Sequence, residues 1–458
     1  MSKPLDFFMD FAARTFTRGG IHPPENKFTE DARIVAAPIP DQVWVPVAQH
    51  IGAPAEIVVS KGDEVLVGQL LAKARGFVSA PVHSPVSGKV TRIDEVVTLA
   101  GYPQAAIQIQ TSGDAWIPEA DKSEILSGSI TLSRQEIIDK IGSSGIVGLG
   151  GAAFPTSVKY SLPPGKVVDS LIINGVECEP YLTADYRLMM EHAREILVGI
   201  RLLMRALGVS RAYMGIERNT PEAIRLMREV VANHGGFDEG SIEVVELRTK
   251  YPQGAEKQLI NAVLGREVPS GKLPLDVGVV VNNVGTAYAV YQAVQKHIPL
   301  VQRVVTVTGT GITRPGNYLA RIGTPLSSLL ELAGGLPADT GKVIAGGPMM
   351  GKAVDNLDAP IVKGTSGVLV LNKAQSKRPP VRPCIRCSRC VGVCPMGLEP
   401  YLLEVLSQLE DGQTADNHRI LDCMECGSCS FTCPAGRPLL DHIRTGKQLV
   451  MALRRRKS

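Results

Sequence analysis

No apolar run in this sequence approaches the ~20 residues that a helix needs to cross a bilayer. The best candidates, Val277-Gly-Val-Val-Val281 and Gly367-Val-Leu-Val-Leu371, have the length of buried strands. The opening Met1-Ser-Lys-Pro-Leu-Asp-Phe-Phe8 lacks the basic start, sustained apolar core and small-residue cleavage site of a secretory signal, so the chain is expected in the cytoplasm. A large excess of either charge is missing too: the formal net charge is +4, too small to imply nucleic acid. Cysteine is nearly absent outside one stretch, since eight of the nine lie between residues 384 and 433 and the ninth is Cys178. A reducing compartment disfavours disulfides, and such clustering in an intracellular protein points to metal.

What is present suits a multidomain globular protein. Charged residues make up 21% and apolar ones 44% of 458 residues, and 46 glycines with 32 prolines indicate many turns rather than disorder. The length allows roughly two to four domains.

The thiols recur in one pattern. Cys384-x2-Cys387-x2-Cys390-x3-Cys394-Pro395 is followed by Cys423-x2-Cys426-x2-Cys429-x3-Cys433-Pro434. Three closely spaced thiolates wrap three corners of an iron–sulfur cubane, and in two-cluster ferredoxins the cysteine before proline serves the other run's cluster. The ligand sets are therefore expected to cross: Cys384, Cys387, Cys390 and Cys433 for one 4Fe-4S cluster, Cys423, Cys426, Cys429 and Cys394 for the second. Zinc would need only paired Cys-x2-Cys elements and would leave the third cysteine and the Cys-Pro of each run unexplained. Leu402, Leu403, Val405, Leu406 and Leu409 between the runs have helical spacing, as two helices flanking such a core require. Around the first run, Lys373, Lys377, Arg378, Arg382, Arg386 and Arg389 occur with no acidic residue between 373 and 395. They read equally as a docking face for an acidic electron partner and as a solvated basic linker.

Upstream, strands and helices alternate. Ser170–Ile173, Arg211–Ile216, Ile242–Leu247 and Val277–Val281 read as strands; Tyr186–Leu207, a segment opening at Thr220-Pro221, Gly254–Leu264 and Thr286–His297 read as helices. Such alternation predicts a mostly parallel sheet covered on both faces, with its ligand at the carboxyl ends of the strands. Three polar, glycine-rich segments fall at loop positions of that fold: Gly148–Tyr160, Asn174–Tyr181 and Val281–Thr286. The first contains Gly-x-Gly-x-x-Ala, but Arg134–Ile141 ahead of it reads as a helix, not a strand, which excludes the ordinary dinucleotide fingerprint. Glycines still let a backbone approach phosphate or a flat ring closely, with free N–H groups to bind anions. Cubanes move single electrons while a nicotinamide gives up a hydride, so a chain joining the two needs a cofactor competent in both, and flavin is one.

At these residues the sequence resembles the flavin-binding, NADH-oxidising subunit of respiratory complex I, and more closely the RnfC family, the NADH-input subunits of ion-translocating Rnf electron transport complexes. The shared motifs are the Gly-Gly-Ala-x-Phe-Pro-Thr-x-x-Lys loop, the Asn-x-x-Glu-x-Glu-Pro loop, Tyr251-x-x-Gly-x-Glu256, Val-Asn-Asn-Val-x-Thr and the N-terminal Gly19-Gly-Ile-His-Pro-Pro-Glu-Asn-Lys27. The resemblance implies that Gly148, Gly150, Lys159, Asn174, Glu177, Gly254, Asn282, Asn283 and Thr286 surround FMN. It also implies that Phe154, Glu179 and Glu256 help place NADH, the two glutamates as the catalytic pair. Leu149, Val176 and Ala255 depart from the complex I pattern, which has arginine, aspartate and glutamate there. Cys178, inside the flavin loop, reads as a buried small residue rather than a catalytic thiol.

The implied protein is an NADH-dependent oxidoreductase subunit with FMN, NAD(H) and two 4Fe-4S clusters, peripheral on the cytoplasmic face of a bacterial inner membrane. Its implied partners are membrane-embedded and iron–sulfur subunits of an Rnf complex, and ferredoxin through that complex. A cobalamin reductase of the microcompartment type and an electron-transfer scaffold with a vestigial flavin site remain as alternatives. The expected fold class is multidomain α/β: an N-terminal arm (1–35), a lipoyl-like barrel-sandwich hybrid (36–115) and a Rossmann-like flavin/NADH domain with a parallel sheet (125–300). A β-grasp, SLBB-like module (301–372), a two-cluster ferredoxin-like helical domain (373–446) and a basic tail (447–458) complete it. The position where a carrier domain of the lipoyl family bears its modified lysine is Gly76, so no swinging arm is expected. The tail, with Leu449, Val450 and Leu453 on one side, reads as frayed and solvated rather than membrane-bound.

Overall fold

Leu171, Ile172 and Ile173 are apolar without alternation, and a strand of that kind must be covered on both faces. In the computed structural model, which describes residues 13–234 and 240–457, Ser170–Asn174 is an inner strand of a four-stranded parallel sheet. The order is Ser241–Leu247, Arg211–Glu217, Ser170–Asn174, Val279–Asn283. Leu171 and Ile173 face one layer with Ala193–Leu207, Pro221–His234 and Val284–Gln295; Ile172 faces the other with Glu256–Leu264. A side chain at Gly199 would overlap the carbonyl oxygen of Ala287, so this glycine sets how closely Ala193–Leu207 lies on Val284–Gln295.

Two of the expected elements differ. The single helix Tyr186–Leu207 is two, Ala184–Glu191 and Ala193–Leu207. His192 between them leaves the helical region (φ −130°, ψ 34°) and lies against the Tyr288 ring, centroids 4.7 Å apart. The last strand starts at Val279 because Pro274–Val277 forms a 3-10 turn that ends on the left-handed Gly278.

Residues from 13 onward run as a strap over this domain, Arg14 bridging to Leu247 and Ile21 to Tyr251. The strap then gives Ile34–Ala36 to the next module as an edge strand beside Gly316–Arg321. The boundary expected at residue 36 therefore falls inside a strand of the β-grasp sheet. That six-stranded sheet continues through Gln302–Thr308, Gly367–Asn372, Thr340–Ala345 and Lys352–Val354. The barrel-sandwich module packs sheets of four and three strands around Val43, Val45, Leu71, Val90, Ile107 and Ile109. Gly76 stands at its exposed tip.

The cluster domain is helical, and its last helix, Leu439–Lys457, is continuous. The expected basic tail is thus the second half of a packed helix: Leu449 and Leu453 lie on Gly412, and Arg454 pairs with Asp416 at 2.7 Å. Those leucines are used inside the domain and are not free to lie on lipid. Among the described residues no helix is long and apolar enough to cross a membrane.

One buried lysine joins three modules. Lys363, from the β-grasp loop, donates from Nζ to the Pro81 carbonyl of the barrel sandwich and to the Gly145 carbonyl of the flavin-type domain, both at 2.8 Å. Its own N–H reaches Gln49 Oε1 at 2.9 Å. Burial pulls its ammonium down to about 7, and the adjacent His83 is pushed down to about 3 by burial and then by Lys363. A histidine whose folded value is depressed stays neutral while the unfolded chain takes up a proton, so stability is lost as pH falls from about 6.5 toward about 3. Urea unfolding at a series of pH values is expected to show this loss, and His83→Gln is expected to flatten it across that window.

Candidate functional site

The strand order places a topological switch point between Ser170–Asn174 and Val279–Asn283, the position where open α/β sheets bind ligands at their carboxyl ends. The last residues of these strands, Asn174 and Asn283, stand opposite each other in register. Four loops converge there: 148–154, 174–181, 251–256 and 282–286.

Hydrogen bonds between the loops fix the crevice. The 148–154 loop closes through the Gly148 N–H on the Phe154 carbonyl at 2.9 Å. Its Leu149 N–H donates to Thr286 Oγ1 at 3.0 Å, and its Leu149 carbonyl accepts both terminal nitrogens of the buried Arg303 at 3.2 Å. Asn174 donates to the Gly254 carbonyl at 2.8 Å and accepts the Val176 N–H at 3.1 Å. Asn283 caps the following helix through the Gly285 N–H at 2.8 Å and donates to Asp185 at 2.6 Å. Asn282 donates to the buried Tyr160 hydroxyl, while its Oδ1 has no partner. Lys159 reaches the Val281 carbonyl at 3.0 Å and Glu256 at 3.1 Å, both side chains still partly open to solvent. A Cβ at Gly150 would meet Asn283 Nδ2 at 2.5 Å, so the loop can lie this close only as glycine.

A second layer sets the charge. Lys27 of the N-terminal strap donates to three carbonyls of the 174–182 loop: Glu177 and Leu182 at 2.7 Å, Glu179 at 3.1 Å. Glu177, held at φ 44°, accepts the Asp185 and Tyr186 N–H groups at 2.9 and 3.0 Å. Burial, with the Asp185 charge next, pushes its carboxyl up to about 7. Burial likewise pushes Glu217 up to about 8 and pulls Arg303 down to about 10. Glu179 turns out of the crevice and accepts the Met349 and Met350 N–H groups of the β-grasp module at 2.6 and 3.0 Å. Cys178 Sγ accepts the Gly254 N–H at 3.4 Å, and burial raises its pKa, the chemistry of a packed thiol rather than a nucleophile.

The sequence-selected residues thus fall into two groups. Gly150 is exposed and Lys159, Gly254 and Glu256 are partly exposed where the four loops meet, and Phe154 stands half-buried at the end of its loop. Asn282, Asn283, Thr286, Asn174, Glu177 and Glu179 spend most of their polar atoms on knitting the loops together. Lys27 and Arg303 carry much of that layer, and nothing local in the sequence marks either for it, although Lys27 closes the Gly19–Lys27 motif. The crevice also has the donors and acceptors that FMN needs. Among the described residues, the amides of Gly150, Gly151, Ala152 and Ala153 donate to no protein acceptor. Successive free N–H groups beside a lysine suit a phosphate or a ring carbonyl, and the unpartnered Asn282 Oδ1 suits an N–H donor, so the residues fit the group.

In the cluster domain the two cysteine runs fold as copies. Arg386 and Ser388 are left-handed (φ 55° and 58°), and so are their counterparts Glu425 and Gly427 (61° and 76°). Gly397 and Gly436, each three residues past the last cysteine of its run, match at 63° and 62°. Three of these positions are not glycine and cost ~1–2 kcal/mol apiece, strain that a loop wrapped around a ligand carries. All nine thiols are free. Burial raises the Cys423 thiol to about 11 and raises Cys426 and Cys429 as well, and the charge of Cys394 adds to each. Cys394 therefore lies with the second run. Cys384 and Cys433 both face Arg437, and Cys384 acts on Cys390.

The second thiol set faces the crevice domain. The buried Tyr251 hydroxyl donates to the Cys426 carbonyl at 2.8 Å, the Gly20 N–H to the Val393 carbonyl at 2.9 Å, and Gln258 Nε2 to the Pro395 carbonyl at 3.4 Å. Cys178, Tyr251, Met349 and Cys426 share one apolar cluster. Cys384 and Cys387 are exposed.

A parallel-sheet domain with an anion-ready glycine loop, joined to paired cubane-type thiol runs, defines a flavin-dependent iron–sulfur electron-transfer protein. Comparison with known families agrees. Residues 15–114 match the RnfC barrel sandwich hybrid domain, 141–292 the Nuo51 FMN-binding domain, 304–353 the SLBB domain and 380–442 the 4Fe-4S dicluster domain. The chain is 48% identical to the C subunit of the proton-translocating ferredoxin:NAD+ oxidoreductase complex of Clostridium ljungdahlii, covering 93% of this chain and 92% of that one. It is 43% identical to the Na+-translocating counterpart of Acetobacterium woodii, with 96% and 98% covered. It is also 43% identical to the C subunit of the ion-translocating oxidoreductase complex of Rhodobacter capsulatus, with 84% and 74% covered. The chain belongs to this family of C subunits, RnfC. Its fold is similar to that of a chain of an NAD+-reducing NiFe hydrogenase, at TM-score 0.50 and 20% identity over 69% of this chain and 62% of that one.

Thr286→Val keeps the shape and removes only the acceptor of the Leu149 N–H. It is expected to lower stability by ~1–3 kcal/mol in thermal or urea unfolding, and to lower the FMN retained through gel filtration.

Proposed function

We propose that this chain is the NADH-oxidising peripheral subunit of an ion-translocating ferredoxin:NAD+ oxidoreductase complex, placed on the cytoplasmic face of the membrane and able to work in either direction. The observation that carries this reading is the shared wall between the two sites: Tyr251, in the loop that ends at Glu256, bonds directly to the backbone of Cys426. Bound FMN would supply the exchange between a hydride and two single electrons.

The chain's own residues orient and insulate. The free amides of Gly150–Ala153 and the Lys159 ammonium, which here pairs with Glu256, would hold the flavin phosphate and ring edge. Glu256, at the crevice mouth, and Phe154 position NADH. Asn174, Asn282, Asn283, Thr286 and Glu177 fix the walls. Glu179 acts as a positioning residue, tying the flavin loop to Met349 and Met350. Leu149 replaces an arginine of the related complex I protein, but the guanidinium of Arg303 lies on its carbonyl, so positive charge is still delivered to this loop from a neighbouring strand. This supports a working flavin site over a vestigial one. Cys394, Cys423, Cys426 and Cys429 would hold the cluster nearer the flavin, and Cys384, Cys387, Cys390 and Cys433 the outer one.

Anaerobically purified protein is expected to bleach at the flavin band and then at the broader iron–sulfur absorbance when NADH is added. Lys159→Met removes a charge-assisted bond of ~1.5–3 kcal/mol and is expected to weaken FMN binding about tenfold to a hundredfold, with iron content unchanged. Full flavin occupancy in this variant would remove Lys159 from the site, and iron-loaded, FMN-reconstituted wild-type protein that NADH leaves unbleached would overturn the function.

A further inference from the structure

We infer that the segment 377–389 is the docking face through which this protein meets its electron-transfer partner, and that the partner presents a carboxylate-rich protein surface there. The inference rests on the electron-transfer reading above and adds where the relay leaves the molecule. Every residue from 377 to 389 is exposed, and the segment has no regular structure through 388. Two of the outer thiols, Cys384 and Cys387, lie within it.

The charge around those thiols is unbalanced. Arg378 is neutralised by Asp441 at 2.5 Å. Glu404 is matched by Arg437 at 2.7 Å, while Glu399 accepts the Tyr401 hydroxyl at 3.2 Å and lies 3.7 Å from His418. Among the described residues, no carboxylate pairs with Lys377, Arg382, Arg386 or Arg389. The same segment exposes Val381 and Ile385 at 62% and 68%, giving apolar contacts between the cations. Its backbone is nonetheless fixed, the Arg382 N–H donating to the Ala435 carbonyl at 2.9 Å and Pro379 and Pro380 lying on Gly436. It is therefore an ordered, positively charged surface with apolar points, the pattern of an electrostatically steered interface.

A lipid surface would also attract cations. Cations interleaved with the thiols argue against it, because lying on lipid would seal the outer thiol set against hydrocarbon and close the exit. A protein partner covers the same residues while bringing its own acceptor close.

The test uses the purified holo-protein and membrane vesicles from cells that make the other subunits of the complex but not this one, with co-sedimentation measured from low to high salt. Wild-type protein is expected to bind at low salt and to be released as salt rises. Arg382→Gln/Arg386→Gln/Arg389→Gln is expected to bind at least tenfold more weakly while NADH:ferricyanide activity is unchanged. Lys61→Gln/Lys89→Gln, on the barrel-sandwich module, is expected to bind like wild type. If the triple variant loses iron, Lys377→Gln/Arg382→Gln, both ahead of the first thiol, carries the test with the same expected direction. Wild-type-like binding by the neutralised variant overturns the proposal, and so does equal wild-type binding to vesicles from cells lacking every subunit. Absence of NADH:ferricyanide activity in wild type would instead overturn the functional reading, leaving the binding result to judge the surface separately.

Discussion

The arrangement depends on one buried contact, the Tyr251 hydroxyl on the Cys426 carbonyl. Tyr251 belongs to the crevice domain, Cys426 to a cluster loop 175 residues later, and the bond leaves neither group unsatisfied in an apolar setting. Around it, the N-terminal strap lays Ile21 against Tyr251 and bonds the Val393 carbonyl through the Gly20 N–H. A hydride-accepting site and a one-electron relay are useful together only if they stay close and dry. The hydrogen bonds at this boundary tie the two sites together through backbone atoms, inside the apolar cluster of Cys178, Tyr251, Met349 and Cys426.

The same economy holds at the other junctions. Lys363 and Arg303 are buried cations that donate to backbone carbonyls rather than carboxylates: Lys363 to Pro81 and Gly145 of the two neighbouring modules, Arg303 to Leu149 of the flavin-type domain and to Lys363 of its own. Removing either would strand several buried acceptors at once. The modules are thereby locked around the flavin loop, and the loop's own residues are left free to present N–H groups. Lys27 does the same from beneath, holding three carbonyls of the 174–182 loop. Glu177, Asp185 and Glu217 are buried in this region, and burial raises the pKa of each, which limits the negative charge it carries.

Much of this was legible in the sequence for identifiable reasons. The cysteine spacing carries its own geometry, and the structure repeats it down to matching left-handed positions at Arg386 and Glu425. The unbroken apolar run at Leu171–Ile173 announced a two-sided strand, and the loops that follow Asn174 and Asn283 fell at the switch point. Long-range contacts were not legible. Nothing local distinguishes Arg303 or Lys363 from surface cations, because their burial follows from modules that meet only after folding. The break at His192 was hidden for the same reason, as the ring that holds it belongs to Tyr288. The basic end of the chain was misread because Gly412, which receives Leu449 and Leu453, lies far upstream. For Glu179 the motif located the residue, while its commitment to Met349 and Met350 required the neighbouring module.

The central claim is the order of the relay: the cluster of Cys394, Cys423, Cys426 and Cys429 lies between the flavin and the outer cluster. Freeze-quench EPR of the NADH-reduced holo-protein, comparing Cys387→Ser with Cys426→Ser, tests it most directly. The cluster surviving in Cys387→Ser is expected to be reduced at the wild-type rate, whereas in Cys426→Ser the flavin still bleaches but the surviving cluster is reduced more than tenfold more slowly. The opposite pattern, with Cys387→Ser blocking reduction and Cys426→Ser sparing it, would contradict the account.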